Sequence, residues 1–202
     1  MRLNISNNIK EVQRGLNDVA QRQIPFATSL AINDVLNEIK RNTEKRMRRV
    51  LHNPTPFTLR GVAVRRSSKR NQTGIVFIKD IQAEYLKRLE EGGDRRPNRR
   101  ALLVPVGQRV NKYGNLPRGA VGRTLAKPAV FSGSPKGNAR AGGIYQRIGK
   151  GRSARLKLLI HYTDIARYIP KLGFQRGAQK TANARLPSAM RKALLRAVSS
   201  AR

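Results

Sequence analysis

Residues 142–163 read GGIYQRIGKGRSARLKLLIHYT. The runs GIYQRI and ARLKLLIHY carry period-two segments, and GKGRSA, which joins them, supplies glycine and small polar side chains. That pattern predicts two antiparallel strands joined by a turn, and so a sheet built from local hairpins. A glycine-rich stretch set among cations also invites comparison with a phosphate-binding loop. Such a loop needs GxxxxGK[ST] running from a strand into a helix, whose N-terminal amides hold the anion; this stretch leads into a strand, so the hairpin turn is the better fit. Lys150, Arg152 and Arg155 place three cations at its tip.

Working outward, AVFSGS (129–134) and ALLVPV (101–106) read as further short strands. GVAVRRSS (61–68) and QTGIVFIKD (72–80) flank the turn-rich KRNQ and read as a second hairpin, with Val62 and Val64 on one face and Ile75 and Phe77 on one face of its partner. Asp80 is placed to cap a short helix through DIQAEYLKRLEEGG, with Ile81, Tyr85 (or Ala83) and Leu89 inward and Gly92 as terminator. Between the strands, residues 107–128 show no sustained period and hold five basic residues, four glycines and two prolines. A basic stretch this long and this irregular is either disordered or a loop that a partner orders, and the net charge favours the second.

Both ends of the chain read as helical. Ile5, Ile9, Val12, Leu16 and Val19 share one helix face, and Pro25 opens a second helix with the stripe Phe26, Leu30, Leu36, Ile39, Met47 and Val50. The Asn53-Pro54-Thr55-Pro56 run stops it. Lys45, Arg46, Arg48 and Arg49 near that stop have two readings, a solvated helix end favoured by the macrodipole and a DNA contact. At the other end Phe174, Ala178, Ala182, Leu186, Met190, Leu194 and Val198 recur every four residues, a slowly drifting stripe on one helix or on two helices divided at Pro187, where a break or kink is expected. The expectation is one α+β domain over residues 1–202: a helical segment 1–52, a mainly antiparallel sheet over 57–163 with a short inserted helix and a long basic loop 107–128, and a C-terminal helical segment 164–202. No fixed-period repeat points to a solenoid.

Charge is the strongest compositional feature, with 43 Lys and Arg against 11 Asp and Glu, a formal net charge of +32. Such a surface repels itself and calls for a polyanionic or acidic partner. Residues 1–94 hold 18 basic and 10 acidic residues, whereas residues 95–202 hold 25 basic residues and the single acid Asp164, so the partner is expected at the second half. The stretch GGDRRPNRRALLVPV (92–106) starts that half with four arginines. Arginine outnumbers lysine about two to one, and its planar fork suits phosphate and carboxylate.

Catalytic chemistry finds little material. There is no Cys, which excludes disulfides and thiolate metal sites and suits a reducing compartment, and the only histidines are His52 and His161. Metal ligands would have to come from Asp80, Glu84, Glu90, Glu91 or Asp94, which read more simply as ion-pairing groups among arginines, and His161 with Asp164 is not spaced for one strand face. No catalytic residue, metal or cofactor is expected. Neither an export signal nor a membrane span of ~18 apolar residues is expected. Aromatic residues are only 5% of the chain and sit mostly in apolar positions, Tyr113 excepted. Base stacking on aromatic platforms is therefore a poorer match than sequence-blind contact to the backbone of double-stranded DNA. The residues expected to meet DNA or an acidic partner are Arg95, Arg96, Arg99, Arg100, Arg109, Lys112, Arg118 and Arg123, with Lys150, Arg152 and Arg155 at the hairpin.

Several stretches in order along the chain, SLAINDVL (29–36), NPTPFTLRG (53–61), EYLKRLEEGGDRRP (84–97), ALLVPV (101–106), NKYGNLPRGAV (111–121) and FQRGAQKTANARLPSAMRKAL (174–194), together resemble the tail completion proteins of tailed bacteriophages, of the minor tail protein Z and related neck type. The resemblance implies a structural protein of the virion, present in the host cytoplasm during assembly. It would form a homo-oligomeric ring around the DNA channel at the head–tail junction, in contact with other tail and neck proteins. The long basic loop departs from that pattern. A ribosome-associated or other ribonucleoprotein is the alternative on charge alone, and a nuclease is the third class.

Overall fold

A computed structural model of the protein describes residues 23–98, 100–135 and 142–200. The helical stripe expected from Ile5 to Val19, and Arg99, lie outside the described residues. In chain order the elements are α1 (Ile24–Val50), α2 (Pro56–Leu59), β1 (Val62–Arg65), β2 (Ile75–Ile78), α3 (Asp80–Glu91), β3 (Gly93–Arg95), β4 (Leu102–Pro105), α4 (Ala120–Leu125), β5 (Val130–Gly133), β6 (Gly143–Ile148), β7 (Arg155–Thr163), β8 (Ala166–Tyr168) and α5 (Phe174–Ser200). Helices alternate with antiparallel sheets, so the chain is α+β, as its sequence implies. Its contacts group into two compact units that interleave along the chain, one from the described residues of 1–49, 57–83 and 173–202, the other from those of 50–56 and 84–172.

The first unit is built on two 27-residue helices, each about 40 Å long. Pro25 falls in the first turn of α1, where its missing N–H is not needed. The helix ends before Asn53, whose φ of 45° turns the chain into Pro54. Ala27 and Ala31 of α1 pack against Ala193 and Ala197 of α5, small side chains that let the axes approach closely. Further along, Arg185 Nε donates to Glu38 Oε1 at 2.8 Å and Asn42 Nδ2 to Thr181 Oγ1 at 3.4 Å. Numbers rise along one helix as they fall along the other, so the pair is antiparallel.

One expectation for α5, a break at Pro187, is corrected. The helix runs through Pro187 without a break, because that residue is exposed and water can reach the Asn183 carbonyl that the ring leaves unpaired. Ser188 Oγ also donates to the Arg185 carbonyl at 2.9 Å. The four-residue stripe drifts about 40° around the helix per step, so its members Met190 and Leu194 meet α1 together with Ala193 and Ala197, whereas Leu186 and Val198 are exposed.

β1 and β2 pair antiparallel in the register Val62↔Ile78 and Val64↔Val76. Ile75 and Phe77 do share a face, but it is the exposed one. The ribbon is fastened to α1 by a partly buried polar clasp. Asn33 Oδ1 accepts the Ser67 N–H at 2.9 Å, Asn33 Nδ2 donates to the Ser67 carbonyl at 3.1 Å, and Ser67 Oγ donates to the Ser29 carbonyl at 3.1 Å.

α3 starts at Asp80 and is closed by Gly92 in the left-handed region, φ 81°, as its sequence implies. Its inward face differs from expectation. Ile81 is 66% exposed and Tyr85 is exposed, whereas Gln82 and Leu86 are buried. Gln82 sets this register: its amide donates to the Phe57 carbonyl at 3.2 Å and its side-chain carbons occupy the space left by the absent Cβ of Gly61.

The second unit centres on the four-stranded antiparallel sheet β4-β7-β6-β5, in which β6 and β7 form the hairpin expected from residues 142–163. Its core is Ile144, Leu159 and Ile160, with Leu116, Val121, Val130 and Tyr162 packed on them. A register shift beside Ile144 leaves Leu159 as an extra residue in β7. The Leu159 carbonyl accepts from three successive N–H groups, Val106 at 2.9 Å, Gly107 at 3.1 Å and Gln108 at 3.1 Å, and so clamps the chain leaving β4. β3 and β8 form a separate ribbon with Asp94 opposite Arg167. None of the described helices is long and apolar enough to cross a membrane.

Candidate nucleic-acid interface

The basic stretch 107–128 is for the most part the irregular loop expected, but it also holds the short helix α4, and its fold decides which cations meet. After the Leu159 clamp, Asn111 turns the chain back: its Oδ1 accepts the N–H groups of Tyr113 at 2.9 Å and Asn115 at 3.0 Å, while Gly114, φ 78°, donates to the Asn111 carbonyl at 2.9 Å. Gly119, φ 72°, then leads into the six-residue helix α4. Its Thr124 is 2% exposed, and Thr124 Oγ1 donates to Gln108 Oε1 at 3.1 Å, tying α4 to the root of the stretch. The stretch lacks a sustained period because α4 is under two turns long.

This fold gathers Arg109, Lys112, Arg123 and Lys127 around one open cleft of about 510 Å³, with Gln108 and Thr124 also lining it. Lys112 Nζ lies 5.2 Å from the centre of the Tyr113 ring, a contact in which the ring face partly offsets the charge. The cleft has no Asp or Glu in its lining. The ion pairs found, Lys40–Glu44, Lys87–Glu91 and Arg185–Glu38, engage none of its cations, so among the described residues the local positive charge is uncompensated. Lys127 is missing from the set singled out by sequence; it lies two residues past the end of α4, and its place close after Arg123 in a stretch without acids is the signal that finds it.

The remaining expected residues spread over the same unit. Arg95 is exposed in β3 opposite Ala166, and Arg96 follows it, also exposed. Arg100 lines a larger cleft of about 1420 Å³ together with Asn98, Ser132, His161, Tyr162 and Asp164, so it is not part of the Arg109 cluster. Ser132 Oγ and Tyr162 Oη lie 2.7 Å apart there. Arg118 is exposed but does not line the Arg109 cleft. At the hairpin, Lys150 and Arg155 are exposed on either side of the turn Gly151–Ser153; Arg152 belongs to that turn, and its side chain lies outside the described residues. Arg147, which sequence did not single out, lies 5.9 Å over the Phe131 ring on the adjacent strand.

Among the described residues no group of three or more His, Asp or Glu side chains gathers as a metal site. A scan against protein-family models, a search of curated proteins and a search of solved structures each returned no match.

What the arrangement can do is electrostatic. Guanidinium and ammonium groups on an open rim present charge to a curved polyanion without shape-selecting a base, which is how a backbone-tracking surface works. Each phosphate neutralised releases condensed counterions and makes the contact salt-dependent.

Proposed function

We propose that the protein is a structural component of a tailed-bacteriophage particle, a tail-completion or neck subunit that forms a homo-oligomeric ring at the head–tail junction. The cations of its sheet unit face double-stranded DNA, held without sequence preference, or an acidic neighbouring subunit. The observation that carries this is the convergence of Arg109, Lys112, Arg123 and Lys127 on one open cleft with no acid in its lining. The ordered likeness to tail completion proteins, from SLAINDVL to the terminal helix, supplies the particle.

Cyclic symmetry repeats each cluster once per subunit, so contacts that are weak singly become strong together. The role requires no catalytic group, metal or cofactor, and places the chain with tail and neck proteins in the virion and, during assembly, in the host cytoplasm, away from membranes.

A ribosome-associated or other ribonucleoprotein is the second reading, favoured by Tyr113 next to the cleft, a ring on which an unpaired base can stack. Density-gradient sedimentation of an infected-cell lysate separates the two. The proposal expects the chain to co-sediment with tails or virions; recovery with ribosomes and absence from particles overturns it.

A further inference from the structure

The first unit holds a basic recess of its own, far in sequence from the cations discussed above. Lys45, Arg46 and Arg49 from the last turns of α1 line a recess of about 400 Å³ together with Lys180 of α5, over a floor that includes Ile39 and Phe174. Its lining contains no acid. The acids of α1 are on another side of the helix, where Asp34, Glu38 and Glu44 line a separate recess with Lys40, Arg41 and Arg66. Charge is thus segregated around α1.

We infer that this recess is a second phosphate site, one that holds adjoining phosphates of a nucleic-acid backbone; the inference rests on the DNA-binding part of the function proposed above. A solvated helix end does not account for it. Cations at the C-terminus of α1 are favoured by its macrodipole, but Lys180 comes from the N-terminal part of α5, so that macrodipole does not account for its place beside them.

Arg46 is also held in place. Gly173 has φ 57°, and a Cβ there would lie 3.0 Å from Arg46 Nη2, so glycine at that position leaves room for the guanidinium beside the start of α5. Four cations directed at one concavity are stabilised by an anion that brings several charges close together. A nucleic-acid backbone does so, with one charge per ~1.7 Å of duplex axis. Arg48 does not line the recess, so the basic run of α1 divides into three residues aimed at the site and one outside it.

The test is fluorescence anisotropy of a short labelled duplex against the full chain at rising salt. Arg49 and Lys180 are both exposed, so the R49Q/K180Q double variant is not expected to disturb folding. It should lower the slope of log affinity against log salt by about 1.8, which is about twelvefold less loss of affinity between about 50 and 200 mM salt. The control R70Q/K79Q removes two exposed cations of the same unit outside the recess and should keep the wild-type slope.

Equal slopes for the wild type and the recess variant, or an equal loss in the control, overturn the inference while a steep wild-type slope leaves the proposed function standing. A wild type that does not bind duplex at all removes the DNA-binding proposal, and sodium tripolyphosphate then decides for the recess. A thermal shift seen in the wild type and lost in R49Q/K180Q supports a phosphate site, and no shift overturns it. Recess-dependent capture of poly-glutamate more tightly than of duplex also overturns it, in favour of an acidic protein partner.

Discussion

Replacing Asn33 by alanine tests whether the β1–β2 ribbon is fastened to α1 by one carboxamide. The side chain accepts the Ser67 N–H at 2.9 Å and donates to the Ser67 carbonyl at 3.1 Å, so it pairs with both main-chain groups of that residue as a neighbouring strand would. Ser67 is 7% exposed, and its own hydroxyl is engaged with the Ser29 carbonyl at 3.1 Å. Alanine leaves a donor and an acceptor without partners in a site with little room for water. At about 1–3 kcal/mol for each group left unsatisfied, partly relieved because Asn33 itself is half-buried, Asn33→Ala should destabilise the protein by about 2–4 kcal/mol. That is a large share of the ~5–15 kcal/mol typical of a domain. Urea unfolding followed by circular dichroism measures it. Asn33→Asp keeps the acceptor and loses the donor, and should fall between wild type and alanine. A loss under about 0.5 kcal/mol for Asn33→Ala refutes the reasoning, because it would put the asparagine among ordinary surface substitutions.

Three further outcomes follow from the fold. Gly92→Ala should destabilise more than Gly114→Ala in the same unfolding assay: both have positive φ, 81° and 78°, but a Cβ at Gly92 meets Pro170 Cδ at 2.9 Å whereas nothing lies within 4 Å of one at Gly114. The left-handed strain common to both is about 1–2 kcal/mol, so Gly114→Ala should stay near that value. Pro187→Ala restores an N–H in the middle of a continuous exposed helix and should stabilise by about 1–3 kcal/mol, read as a raised urea midpoint; destabilisation would mean that the proline shapes α5. Arg185→Gln removes the 2.8 Å contact with Glu38, but with the arginine 59% exposed the loss should stay below about 1 kcal/mol.

The parts of the fold that sequence makes legible are those whose signals are local. The β6–β7 hairpin announces itself through period-two runs around GKGRSA, α1 through Pro25 and the proline stop, and α3 through Asp80 and Gly92. Where a longer-range contact decides, the local signal misleads. Ile81 and Tyr85 look like the inner face of α3 until the Gln82 amide finds the Phe57 carbonyl and turns the helix. β3 and β8 are three residues each, too short and too polar to alternate visibly. The same holds for the cations. Arg100 and Arg109 are near in sequence, yet they line different clefts, while Lys180 joins Lys45, Arg46 and Arg49 only because α1 and α5 run antiparallel.

The central claim is that the surplus positive charge serves to meet the phosphates of a nucleic acid. Its most direct test is the affinity of the full chain for duplex DNA as a function of salt, with two unrelated sequences. The account predicts equal affinity for both and, for about six phosphates contacted, a loss of roughly a thousandfold between about 50 and 200 mM salt. Binding that barely changes over that range, or that separates the two sequences strongly, contradicts it.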